Sequence, residues 1–246
     1  MRTAITLILA IALMGCGTTK LAVDPGGFPV PLMNKAPVKL GVWLDEDLTT
    51  YVHREAIENK GEWEVSIGPA QTPLFANLAT GVFEDYRLTA GLDDADGLDG
   101  TLHPEINEVQ FSLPSQTRSN YYEVWIKYRF QLYDRAGTLV SEWTLPAYGK
   151  ASKKNYGGSS GGLQAAALAA CRDAMAFFSI NFAREPAIRT WLAAGKPLVP
   201  PPAPQSAPTP GNTPGGSGGA TPGTVPAGAG GAPSGGTQAA SKENPA

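Results

Sequence analysis

An α+β fold is predicted: an antiparallel or mixed sheet with two main helices packed on one face, flanked by disordered tethers. Three observations predict it. Several segments alternate apolar and polar residues with the period of a strand, and two others repeat apolar residues every three or four positions, as a helix does. Both ends of the chain change abruptly to Gly, Pro and small polar residues.

Val38–Leu44 (VKLGVWL) is predicted as the first strand and Trp63–Ile67 (WEVSI) as the second, both short and apolar. After Gly68 the period lengthens. Leu74, Phe75, Leu78, Val82 and Phe83 then share one face of a helix expected over Gln71 to Tyr86. From Thr101 to Leu113 the alternation returns, and Pro104 marks an edge or a bulge because proline cannot donate to a ladder. The plainest strand is YYEVWIKYRFQLYDR, in which Tyr122, Val124, Ile126, Tyr128, Phe130 and Leu132 point one way and Glu123, Lys127, Arg129 and Gln131 the other. One face is core and one is wet, as in an antiparallel sheet.

The tetrapeptide DRAG, Asp134–Gly137, is predicted to turn this strand into a partner, LVSEWTL, with Gly137 free to take a positive φ. A long loop, KASKKNYGGSSGG, leads to a final helix over Leu163 to Phe182. Its stripe Leu168, Cys171, Met175, Phe178 and Phe182 is expected to lie on the sheet as core. PAIRTWLAAG closes the domain as a short helix with Gly195 as its stop.

The order β, β, α, β, β, β, α occupies residues 38–195. Residues 196–246 hold no aromatic side chain and almost no charge, so they cannot bury enough apolar surface to offset ordering and are expected to be a disordered Pro/Gly/Ala-rich tail. Residues 16–37 are expected to be a tether.

The first 15 residues carry an address. Arg2 precedes Ala4–Leu13, AITLILAIAL, a run too short for the roughly 30 Å bilayer core and suited to the h-region of a secretory signal peptide. Leu13, Met14, Gly15 and Cys16 follow, and this stretch resembles the lipobox of bacterial lipoproteins. The resemblance implies that the Cys16 thiol takes a diacylglycerol, that the bond before it is cut, and that the new amino terminus is acylated. Two or more acyl chains make such anchoring stable where one is marginal. Gly17 stands where an Asp would retain the protein at the inner membrane, which implies the outer membrane, periplasmic face. The element order, the Gly-rich loop and the Ala-rich final helix further resemble small outer-membrane lipoproteins of envelope assembly, such as the YajG-like group and the lipoprotein plug of the lipopolysaccharide export pore.

Several patterns come near to chemistry. GGSSGG, Gly157–Gly162, fits the nucleophile-elbow spacing twice, but a charged loop feeds it where an elbow needs a strand. Both histidines, His53 and His103, precede it, so no catalytic set is expected, and Ser159 or Ser160 is expected to cap the helix. Asp94, Asp96 and Glu105 fall at calcium-loop positions, yet Leu98 and Asp99 occupy a ligand position and the sharp-turn glycine position. A solvated turn is expected there. Neither histidine has Cys or His neighbours at metal spacing, so no metal site and no cofactor other than the lipid on Cys16 is expected.

Net charge is −3, which offers no electrostatic hold on nucleic acid. Cys171, without a partner once Cys16 is lipidated, is expected to be a small buried hydrophobe. Of the five tryptophans, Trp43, Trp63, Trp143 and Trp191 are expected in the core or on sheet faces, whereas Trp125 lies on the wet side of its strand with Tyr121 and Tyr133. These three residues are the expected partner-binding surface.

The expected function is a non-catalytic lipoprotein held to the membrane by its anchor and binding an envelope assembly or transport partner. The alternative is a lipid or small-molecule carrier with a pocket between sheet and helices; a serine hydrolase ranks third.

Overall fold

The computed structural model describes residues 17 to 194. The lipobox residues Leu13, Met14, Gly15 and Cys16, the helix stop Gly195 and the tail at 196–246 lie outside the described residues. Within them the chain runs β1 (Thr19–Ala22), β2 (Ala36–Trp43), α1 (Glu46–Thr49), β3 (Val52–Ile57), β4 (Gly61–Ser66), α2 (Gln71–Val82) and β5 (Phe83–Thr89). It continues with β6 (Gly100–Ser112), α3 (Pro114–Thr117), β7 (Tyr121–Asp134), β8 (Leu139–Ser152), α4 (Ser159–Asn181) and α5 (Pro186–Ala194).

The fold is α+β with two mixed sheets. A five-stranded sheet has the order β5-β2-β6-β7-β8, and a three-stranded sheet the order β1-β4-β3. In the larger one β2 runs parallel to both its neighbours, while β6, β7 and β8 form an antiparallel meander. Gly137, at φ 76°, closes the β7–β8 hairpin as its sequence requires.

The long alternating strand behaves as read. Tyr122, Val124, Ile126, Tyr128, Phe130 and Leu132 are all buried, and α4 covers them. The α4 residues Ala166, Ala170 and Ala174 are small, which lets the helix come close to the sheet. Closest of all is Gly149 of β8, where an added Cβ would overlap the Ala166 carbonyl oxygen and the Ala170 amide. Toward its C-terminus α4 turns aromatic: Phe178 packs 5.1 Å from both Phe130 and Phe182, ring centre to ring centre, and Phe182 reaches Phe83. By length and composition α4 would suffice to cross a membrane. Its apolar stripe is instead spent on the sheet.

A buried polar chain threads this core. Tyr128 donates to Gln71 Oε1 at 3.1 Å, and Gln71 donates onward to the Ile67 carbonyl at 3.2 Å. Cys171 Sγ lies 3.9 Å from the same hydroxyl, and burial pushes this free thiol up to about 11. It is the inert core cysteine its context suggested.

Four expectations are corrected. The helix that begins at Gln71 stops at Val82, not Tyr86, and residues 83–89 form β5 alongside β2. Phe83 is buried either way, so apolar period alone could not separate the two outcomes; pairing with the free edge of β2 decides it. Secondly, residues 17–37 are no bare tether. β1 pairs with β4, Val23 and Phe28 are buried, and Arg172 Nε donates to the Gly27 carbonyl at 2.6 Å. Four residues of strand carry too little pattern to be seen alone.

Thirdly, β8 continues through Pro146 to Ser152 and α4 begins at Ser159, which shortens the long loop to residues 153–158. Proline is tolerated because β8 is the edge of the sheet. Finally, Gly158 is the N-cap of α4 and no side chain caps it; Ser159 and Ser160 are already helical. Pro104 does mark an edge locally: β2 pairs with β6 only at residues 100–102, and a bulge follows between Ile106 and Glu108.

Candidate functional site

The face of β6-β7-β8 away from α4 is wet, as the alternation requires, and two side-chain clusters stand on it. The first is aromatic. Trp125 is 40% exposed and packs against Tyr148, itself 37% exposed, with ring centres 5.2 Å apart. They meet because β7 and β8 pair Trp125 directly with Tyr148. Tyr121 lies at the same end of β7, with the Lys150 ammonium 5.2 Å from its ring centre. Beside Trp125 a shallow groove of about 250 Å³ is walled by Glu108, Gln110, Lys127 and Pro146.

Tyr133 does not join this cluster. It is half-buried at the opposite end of β7, eight residues from Trp125 and so roughly 27 Å away along the strand. Of the expected trio, Tyr133 therefore stands apart, and Tyr148 is the residue that strand register sets beside Trp125. Tyr148 lies beyond LVSEWTL, the strand the sequence predicts, in a continuation of β8 where Leu145, Ala147, Gly149 and Ala151 alternate inward.

Tyr148 donates to Glu123 Oε1 at 2.6 Å. That bond to a carboxylate, with a smaller contribution from burial, holds the phenol neutral and raises its pKa from 10 to about 12. Glu123→Gln is expected to bring the ionisation of Tyr148 back toward 10, read as tyrosinate absorbance relative to a Tyr148→Phe control. A titration that does not move would remove Glu123 as the cause.

The second cluster is polar and gathers at the other end of the face. His103 is buried under Trp43, stacked at 3.8 Å, because β2 and β6 run side by side there. Its Nε2 lies 3.0 Å from Asp45 Oδ2 and its Nδ1 3.3 Å from Gln131 Oε1. Gln131 is oriented by donating its amide to Glu142 Oε2 at 3.1 Å, so its oxygen faces the ring. Both partners of His103 thus ask for a donor, one at each ring nitrogen.

Asp45 also caps α1, accepting the Leu48 amide at 2.8 Å. Asp45, His103 and Glu105 each place a ligand atom within 4.8 Å of the others, an arrangement that spacing in the sequence concealed because residue 45 comes from a different strand end. Arg129 Nη1 stands 3.2 Å from Glu105 Oε2 and brings a positive charge of its own to that carboxylate. Misaligned for a hydrogen bond, it still leaves that buried oxygen paired in charge.

The remaining candidates separate. Asp94 pairs with Arg87 at 2.6 Å, Asp96 is exposed, and Glu105 belongs to the second cluster, so the three calcium-loop positions do not converge on one site. Ser159 and Ser160 lie exposed in the first turn of α4. His53 is half-buried, edge-on to Phe111 at 5.7 Å.

These elements define an α+β unit with one sheet face under a helix and the other open to solvent. No family model matches the sequence, and no curated protein matches it. Among solved structures, the chain is similar to protein XCC0632 from Xanthomonas campestris, with 10% identity, 67% of this chain and 92% of that one covered, and a TM-score of 0.42. It is also similar to a minor lipoprotein from Acinetobacter baumannii, with 16% identity, 61% and 92% covered, and a TM-score of 0.34. A third is lipoprotein GNA1162 from Neisseria meningitidis, with 11% identity, 57% and 88% covered, and a TM-score of 0.24.

Proposed function

We propose that this chain is a non-catalytic lipoprotein, anchored by acyl chains on Cys16 to the periplasmic face of the outer membrane, whose wet sheet face binds a protein of envelope assembly or transport. One observation carries the reading. Leu13 closes the largely apolar run Ala4–Leu13, which a single basic residue precedes, and Met14, Gly15 and Cys16 follow it directly. Cys16→Ser is expected to abolish incorporation of labelled palmitate and to move the protein from the membrane to the soluble fraction. A variant that keeps the label would end the proposal.

The contact surface is supported by Trp125 and Tyr148, large aromatic side chains left exposed beside a groove. Trp125→Ala is expected to reduce crosslinking to envelope proteins in intact cells about 10-fold or more, the weight of an aromatic hot spot. Unchanged crosslinks, with the fold retained, would clear this face of the role. At Gly149 β8 and α4 are in backbone contact, so a carrier, the alternative reading, would have to hold its ligand away from that crossing. Two surface grooves, of about 550 and 380 Å³, lie along residues 29–37, and the smaller is also lined by Val82, Phe182 and Leu192.

A further inference from the structure

Resting on lipid attachment at Cys16, we infer that the anchor joins the folded unit without a spacer, so that the β3–β4 turn, Glu58–Gly61, is held against the lipid headgroups. The attachment point is one peptide unit from Gly17, a Cα separation of about 3.8 Å. Gly17 already lies on the fold: its carbonyl oxygen is so close to Gly61 that a Cβ there would come within 2.9 Å of it. Thr18 Oγ1 donates to Glu62 Oε2 at 3.5 Å, Thr19 pairs with Trp63, and Lys20 pairs with Glu64 in the ladder and again through a 3.0 Å ion pair.

The strand is fastened at its far end as well. Val23 N–H donates to the Ser66 carbonyl at 3.0 Å, Val23 and Phe28 are buried, and Asn77 donates to the Phe28 carbonyl at 2.9 Å. Peeling β1 away to lengthen the tether would pull on these contacts in turn.

Acyl chains must sit in the hydrocarbon, so Cys16 lies at headgroup depth and Gly61 within roughly 10 Å of it. The turn is built for a polar boundary. Glu58, Asn59 and Lys60 are exposed, while Ile57 points inward and is buried, so the contact is with headgroups and not an insertion. A domain seated this way cannot tumble on its anchor, and the orientation of its wet face toward other envelope components is set by the β1–β4 pairing.

The test uses the full lipidated chain in phosphatidylethanolamine/phosphatidylglycerol vesicles, with a fluorophore at Asn59→Cys. Cys171 is buried and Cys16 is blocked as the thioether, so the label is specific. A collisional quencher attached to the headgroups is expected to quench it strongly. Inserting twelve Gly/Ser residues between Cys16 and Gly17, a coil with a mean reach of roughly 20 Å, is expected to reduce the quenching at least about threefold. Weak quenching in the parent, or strong quenching that survives the insertion, would overturn the spacer-free placement. Mass spectrometry of the same samples reads the diacylglyceryl thioether directly, and its absence would overturn the lipidation itself along with the inference.

Discussion

Gly149→Val is expected to destabilise the folded unit by about 3 kcal/mol and to lower its melting temperature by roughly 10 °C. The cause is backbone against backbone. A side chain at 149 meets the Ala166 carbonyl and the Ala170 amide of α4, and neither can rotate away as a side chain would. Relief would require α4 to lift off the sheet, opening gaps around Val124, Ile126 and Leu145, which are fully buried. Gly157→Ala supplies the control, since open space surrounds that position. Thermal unfolding followed by circular dichroism decides it: a Gly149→Val variant melting within about 2 °C of the parent would contradict this account of the interface.

Asp45→Ala is expected to cost about 3 kcal/mol, of which about 1 is the helix cap and the rest the hydrogen bond to buried His103. One carboxylate serves both, with Oδ1 on the Leu48 amide and Oδ2 on His103 Nε2. Asp45→Asn keeps an acceptor for the cap and loses the charge facing the ring, so it should cost less. A double-mutant cycle isolates the pair: in a His103→Leu background, Asp45→Ala should cost only the cap term. Urea denaturation of the four proteins measures this, and strictly additive losses would show that Asp45 and His103 do not stabilise one another.

Much of this architecture was legible without coordinates. The inward row of β7 and the stripe of α4 repeat over enough residues that no other period competes, and each predicts its own burial. The proposed lipobox at Leu13 to Cys16 is legible because such residues act as a linear signal and need no fold to be read. Several shorter elements were not. β1 and β3 are four and six residues, their polar residues run together as Thr19–Lys20 and His53–Glu55 instead of alternating, and both depend on β4 between them. β5 continues an apolar row begun by α2, and only the vacant edge of β2 makes it a strand. Tyr148 lies beyond the predicted part of β8, past a proline that an edge strand accommodates.

By itself the sequence determined the α+β class, the wet and dry sides of the central strand, the core role of Cys171 and the proposed membrane address. Tertiary structure alone decided which side chains share a site. Trp125 meets Tyr148 through strand register, His103 meets Asp45 across 58 positions, and Tyr133 is parted from Trp125 by the length of one strand. The physical reason is range. Periodicity and signal motifs are local properties of the chain, whereas sheet register and helix–sheet contact depend on which distant backbone groups find each other, a choice settled by burial of the whole core at once.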